Sequence, residues 1–420
     1  MMAFENLSPI LPSPSESPGD TAALGWTVCQ KTASVCARRY AGSLRAVMIT
    51  GSLARNEATW TPQPNGWELL GDAEFLLVFE PPASLPAQGA IASLEQEIRA
   101  ELGCEGISGH VQLAPVNPSF LEELQPRIFG YELRACGRVV YGDRSVARLI
   151  PDMSPADIPL EDAWRLLANR MIENLEAAVQ VERRAGALPP GLLYRTVKLY
   201  LDIATSLSVF ADFYAPAYGE RCRRLRALVA MPETRSDWPF PLQPFSELVS
   251  VATDLKLGGN PQQAANLGWE FWLQAVRYSR LLWQWELARL VGAQELEPNQ
   301  DLMQRSMRLR PFSERLRGWI FVWRACGWLR SVRWWPRWAR LAAGGSPRYC
   351  VYQAADMLFE QLPGALEDGG ETNVDRAASE RVLSGLPVVR WARRSGDWRW
   401  SDLVREVARN YHQFLEPTRA

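Results

Sequence analysis

The feature that most constrains this chain is a pair of carboxylates at the head of an apolar strand. Asp72 and Glu74 directly precede the run Phe75-Leu76-Leu77-Val78-Phe79. Side chains alternate along a strand, so the two acids point to the same side. Upstream, a short apolar strand over 46–50 runs into Gly51-Ser52-Leu53-Ala54-Arg55, a glycine-serine turn that opens a helix. Ser52 and the free N–H groups of that first helical turn form a natural cradle for phosphate. Paired carboxylates facing such a cradle suit a divalent cation held against a triphosphate. Together these groups supply the chemistry of nucleotidyl transfer.

The pattern Gly51-Ser52-x-Ala54-Arg55 with Asp72-x-Glu74 resembles the nucleotidyltransferase fold of the DNA polymerase β superfamily. Within it, the chain is most similar to the small bacterial branch of minimal and antibiotic-modifying nucleotidyltransferases. By domain size the resemblance covers about 145 residues, and Tyr131-Glu132-Leu133 through Gly142 looks like the end of the domain. It implies that Gly51 and Ser52 contact a nucleoside triphosphate, that Asp72 and Glu74 bind Mg²⁺ or Mn²⁺, and that Arg55 lies near the phosphates. A surface arginine closing a loop is the other reading of Arg55. The chain is also similar to proteins of bacterial exopolysaccharide gene clusters.

Two departures from the family bear on function. Nineteen residues, Leu53 to Gly71, separate the turn from the acidic pair, more than is usual. The extra stretch holds Trp60, Pro62, Pro64, Asn65, Gly66 and Trp67, which predicts a loop or small hairpin at the mouth of the site. The family's third carboxylate aligns with Gln112 in His110-Val111-Gln112-Leu113. A glutamine neither holds a metal as a carboxylate does nor accepts a proton from a nucleophile. His110 shares a strand face with Gln112, either as a substitute base or as a histidine packed at a strand edge. Two functions follow. One is Mg²⁺-dependent transfer of a nucleotidyl group to the hydroxyl of an unidentified small molecule, sugar or protein. The other is a catalytically silent scaffold that binds a nucleotide or partner, linked to exopolysaccharide assembly.

At 420 residues the chain has room for two or three domains, and 47% apolar with 22% charged residues is ordinary for a globular protein. A net charge of -1 gives no global field for nucleic acid, and no sequence-specific DNA binding is expected. Forty-three arginines against three lysines point to a GC-rich bacterial genome. Seven scattered cysteines without a C-x-x-C pair, and only two histidines, exclude zinc-finger spacing and read as reduced cytosolic thiols. Residues 1–20, rich in Pro and Ser, predict a disordered tail rather than a secretory signal. No long apolar window is present, so the expected location is the cytoplasm, at most peripheral to the inner membrane.

Strand and helix patterns alternate over 21–150: a helix at 22–41, strands at 46–50, 72–79 and 107–115, and a helix at 89–102. This predicts an α/β (α+β) nucleotidyltransferase-like domain with a mixed sheet. After a linker at 151–159 the pattern is all-α. Helices are expected at 160–185, 192–214, 219–231, 243–256, 262–292, within 312–362 and at 400–415. Residues 151–300 form one helical domain in this reading and 301–420 a second, with an exposed acidic loop over 364–375.

Two helical features carry charge. The helix 192–214 is apolar nearly all round, yet Arg195, Lys198, Asp202 and Ser206 form one polar stripe. Buried charges need partners. Arg195 and Lys198 would therefore meet nucleotide phosphates or an acidic substrate, or else join an internal Arg/Lys–Asp network. Residues 305–348 hold eleven arginines and one acid, Glu314, interleaved with Trp319, Trp323, Trp328, Trp334, Trp335 and Trp338. That is +10 in the segment against -11 elsewhere. Such a stretch suits an anionic membrane surface or an acidic polysaccharide. The alternative is a helical hairpin with a tryptophan core and an arginine rim.

Overall fold

The computed structural model describes residues 21–180, 188–231, 237–258, 264, 266–293, 299–327, 332–367, 372–389 and 398–415. The expected tail over 1–20 lies outside the described residues, as do Trp328 and Arg330. The chain forms two compact units, the first of Met1–Pro159, Phe213–Arg221 and Thr253–Asn260, the second of the remainder.

The first unit is a mixed α/β fold. Its elements are α1 (Thr21–Arg39), β1 (Leu44–Ile49), α2 (Gly51–Ala54), β2 (Trp60–Gln63), β3 (Gly66–Phe79), α3 (Gln88–Cys104), β4 (Ile107–Val116), α4 (Pro118–Glu122), α5 (Ile128–Cys136) and β5 (Arg138–Gly142). In the sheet, β1 lies between β3 and β5 and is antiparallel to both, while β4 runs parallel along β3. The stretch read as a loop or small hairpin is a hairpin, with β2 folding back on the start of β3. The carboxylate strand therefore begins at Gly66, six residues before the expected start at 72.

Alternation gives the sheet two apolar faces. Val47, Ile49, Phe75, Leu77 and Val111 pack under α1 and α3 with Val35, Ile91 and Ile98. Met48, Leu76 and Val78 pack against Leu121 of α4, Leu133 of α5, and Val146 and Ile150 beyond β5. Local signals start the short helices of this second layer. Asn117 Oδ1 accepts from the Phe120 N–H ahead of Pro118, and Asp143 Oδ1 accepts from the Ser145 N–H at 2.7 Å.

The second unit is helical: α6 (Leu160–Gln180), α7 (Pro190–Phe210), α8 (Tyr218–Val229), α9 (Leu242–Lys256), α10 (Trp269–Leu290), α11 (Asn299–Leu309), α12 (Phe312–Cys326), α13 (Trp335–Gly344), α14 (Pro347–Glu367), α15 (Arg376–Gly385) and α16 (Trp400–Phe414). The first turn of α8 and the last turn of α9 belong to the first unit. The strands β6 (Asn373–Val374) and β7 (Trp398–Arg399) form a two-residue antiparallel pair. Buried Trp164 on α6 organises the centre, stacking on Trp283 at 5.1 Å and on Tyr349 at 5.5 Å. Such aromatic pairs add about 0.5–1.5 kcal/mol each beyond burial.

The helix expected over 192–214 stops at Phe210, because Asp212 adopts a left-handed φ of 59°. Gly318 lies inside α12, and Pro347 packs 3.0 Å from where a side chain on it would begin. Gly364 and Glu367 of the expected acidic loop lie in α14 instead. No disulfide forms among the seven cysteines. No helix among the described residues is long and apolar enough to cross a membrane.

Candidate functional site

β3 carries the acidic pair to the edge of a covered face. Leu76 and Val78 on that face are buried beneath α4, α5 and the 144–149 turn. Asp72 and Glu74 continue the same face past its cover, Asp72 exposed and Glu74 half-buried. Parallel pairing sets His110 opposite Asp72 and Gln112 opposite Glu74, so all four side chains share one face. His110 Nδ1 lies 2.9 Å from Asp72 Oδ1.

β1 delivers the glycine-serine turn to this edge. The Thr50 N–H donates to the Glu74 carbonyl at 3.0 Å, the last link before the strands part. Gly51 then takes a left-handed φ of 68° and starts the four-residue α2. Its lack of a side chain has a second reason. A Cβ there would stand 2.5 Å from Glu74 Oε2, so the carboxylate rests directly on the turn. Ser52 follows, half-buried, with no hydrogen bond from its hydroxyl among the described residues. A helix this short leaves its leading N–H groups without intrahelical acceptors. The structure thus gathers Gly51, Ser52, Asp72 and Glu74, together with His110 and Gln112, at one open edge.

Arg55 has a different setting. Its guanidinium is buried, donating from Nε to Glu57 at 2.9 Å and from Nη1 to Glu132 of α5 at 2.7 Å, and it lies over the Tyr218 ring. Burial opposes its charge, but Glu132, Tyr218 and Glu57 outweigh burial and raise its pKa. The same network holds the Tyr214 hydroxyl, which donates to Glu132 at 2.6 Å, and the Tyr218 N–H, which donates to Glu57 at 2.7 Å. Arg221 stacks over both tyrosines. Burial, then the carboxylate of Glu132, raises the Tyr214 pKa well above the usual phenol. Arg138 at the start of β5 closes the other side of the turn, donating to the Ala54 carbonyl and to Asn56 Oδ1. The two arginines hold α2 in place; the turn's exit is built from ion pairs.

Arg195 and Lys198 lie on α7, in the second unit. Arg195 donates to the Glu173 carbonyl at 3.3 Å, and the Lys198 ammonium stands 5.7 Å from the Tyr194 ring centroid. Lower on the stripe, Asp202 accepts from Arg170, and Ser206 bonds the buried Glu286 at 2.6 Å. An internal network thus occupies this half of the stripe.

Two cavities lie apart from this edge. One of about 70 Å³ behind the turn, lined by Trp26, Cys29, Leu53 and Trp60, is far below the ~300–1,000 Å³ of ligand sites. A groove of about 860 Å³ in the second unit, lined by Phe240, Tyr278, Arg277, Arg280 and Glu360, contains none of the residues singled out from the sequence. Sequence reasoning missed Glu57, Tyr214, Tyr218 and Arg221, whose link to the turn no local pattern announces. Compared with known proteins, no family model matches this chain and no curated protein matches it.

Proposed function

We propose that this protein binds a nucleoside triphosphate with a divalent cation and transfers its nucleotidyl group to an acceptor hydroxyl. The observation that carries the proposal is the Glu74 carboxylate resting on the Gly51 turn, with Asp72 beside it on the same open face. In this reaction the acceptor oxygen bonds to the α-phosphorus, the bond to the bridging oxygen breaks, pyrophosphate leaves and the acceptor's proton passes to a base or to water.

The donor set fits Mg²⁺ or Mn²⁺. No group of three or more His, Cys, Asp and Glu residues gathers around a metal position among the described residues. Mg²⁺ needs no such cage, because one or two carboxylates and the substrate's own phosphates commonly complete its shell. Asp72 and Glu74 supply those two carboxylates, and the bound cation would offset the negative charge of the phosphates. Gly51 and Ser52 orient the distal phosphates through backbone N–H groups and the serine hydroxyl. His110 fixes the rotamer of Asp72 through its hydrogen bond. The remaining work is positioning, which dominates phosphoryl chemistry.

One observation favours a second reading. Gln112 stands opposite Glu74, so an amide occupies the neighbouring strand position where a third carboxylate would serve as ligand and base. A protein that binds the triphosphate and does not turn it over, acting as a scaffold in polysaccharide assembly, is consistent with that amide. Calorimetry across ATP, GTP, CTP and UTP, with and without Mg²⁺, tests the site. Transfer of α-phosphate label to cell extract then separates the two readings. Asp72→Ala with Glu74→Ala should abolish the Mg²⁺-dependent binding. Equal affinity without Mg²⁺, or in the double variant, would overturn the site assignment.

A further inference from the structure

The basic, tryptophan-rich segment divides into a packed half and an outward half. Trp319 and Trp338 are buried, and their indole N–H groups donate to the Gly345 and Pro387 carbonyls at 2.9 and 2.8 Å. Arg337 is drawn in with them, its guanidinium closing the carbonyl end of α15 at Leu383 and Leu386. Arg310 pairs with Glu161, and the segment's lone acid, Glu314, accepts from Arg165 at 3.2 Å. These groups are structural.

The outward half has a different composition. Ten large hydrophobic side chains are exposed among the described residues, and six of them fall within 309–335: Leu309, Phe312, Leu316, Ile320, Phe321 and Trp335. Phe312, Leu316 and Ile320 recur at i, i+4 and i+8, which places them on one side of α12. Phe312 is 67% exposed and Leu309 63%, values far from a covered helix face. The exposed arginines Arg317 and Arg324 lie on the same helix, and Arg308, Arg333 and Arg340 are exposed on the flanking elements. Arg317, Arg324 and Arg340 make no ion pair among the described residues. Scattered apolar residues on a surface are ordinary; a cluster of them set among cations is not.

We propose that this face of α12, with the exposed apolar residues and arginines next to it in sequence, seats the protein on an anionic bilayer surface. The arginines supply the attraction to anionic headgroups, and the apolar side chains enter the boundary between headgroups and acyl chains. The aliphatic residues decide between polyanions. Leu309, Leu316 and Ile320 gain nothing from a sugar polymer or a nucleic-acid backbone, where cations and aromatic platforms carry the binding. In a bilayer they gain burial. With no spanning helix among the described residues, the attachment is peripheral. This inference is independent of the nucleotide chemistry.

The test uses the full chain and vesicles of phosphatidylcholine, with and without phosphatidylglycerol, in a flotation assay. Binding is expected only to the anionic vesicles and should disappear at about 1 M salt, where the Debye length falls to ~3 Å. One variant carries Phe312→Ser, Leu316→Ser and Ile320→Ser; a second carries Arg317→Gln, Arg324→Gln, Arg333→Gln and Arg340→Gln. At roughly fivefold per arginine, the second should bind about six-hundredfold more weakly. The first should lose at least tenfold, with circular dichroism unchanged in both. Failure of the wild type to bind anionic vesicles at low salt would overturn the proposal. So would equal binding to neutral vesicles, or wild-type binding by either folded variant. If heparin displaces the vesicles while the serine variant binds them undiminished, the surface takes polyanions and not bilayers. Each variant tests a separate contribution, so one that misfolds leaves the other decisive.

Discussion

At the candidate edge, strand alternation and strand pairing divide the work of placing each residue. Strand alternation alone sets Asp72 and Glu74 on one side, and the parallel register then brings His110 and Gln112 beside them. Gly51 was legible as a turn, but its second constraint, the carboxylate lying where a Cβ would be, depends on two strands meeting. Residues whose partners are distant were opaque. Glu286 on α10 is an example. It is wholly buried, bonded to Ser206, and its second oxygen has no partner. Burial raises its pKa well above the ordinary carboxylate, partly offset by the Ser206 hydroxyl. The folded protein therefore keeps a proton that the unfolded chain releases above about pH 4.3. Stability then falls as pH rises from that value toward the folded pKa, by up to about 1.4 kcal/mol per pH unit. Glu286→Gln should remove this slope, so the variant gains on the wild type steadily from acid to neutral pH. Urea unfolding across that range measures it. Parallel stability–pH curves would show that Glu286 does not keep its proton.

At the scale of elements, periodicity found helices and strands and misjudged where they stop. α7 ended early at a left-handed aspartate, and β3 began early because its hairpin half lacks the apolar run of its second half. α2 is the element on which the site depends, and it is too short to hold itself. Isolated helices need roughly 12–15 residues to be even marginally stable. α2 has four, so its geometry is imposed by Arg138 on one side and Arg55 on the other. Arg55→Ala would leave Glu57 and Glu132, both largely buried, without their shared cation. Breaking such a pair typically costs about 3–5 kcal/mol. Arg55→Lys keeps a charge but lacks the fork that reaches two carboxylates, and should fall between. Thermal melts of both variants, read beside nucleotide calorimetry, separate a structural arginine from a phosphate contact. A variant with wild-type stability and lost triphosphate affinity would reassign Arg55 to the phosphates.

For the whole molecule, the first unit runs to Pro159 and then takes back two later segments of the chain. Phe213–Arg221 and Thr253–Asn260 return to it, and nothing in their composition announces this, since each adjoins a helix of the second unit. What they bring is specific. Tyr214 and Tyr218 each donate to a carboxylate of the Arg55 network, Arg221 stacks over them, and Lys256 donates to the Thr59 hydroxyl at 2.9 Å. A fragment of residues 1–159 contains the entire sheet and both acids of the pair, yet it lacks all four of these contributors. Hydrogen bonds to charged groups are worth about 1.5–3 kcal/mol each, so losing the two to Glu132 and Glu57 removes roughly 3–6 kcal/mol. That is a large part of the ~5–15 kcal/mol that keeps a domain folded. The fragment should therefore exchange its β1 and β3 amides far faster than the intact chain and unfold at lower urea. Hydrogen exchange on both proteins measures this directly. Equal protection of those strands in the fragment would mean that the returning segments only decorate the unit, and that the Arg55 network closes without them.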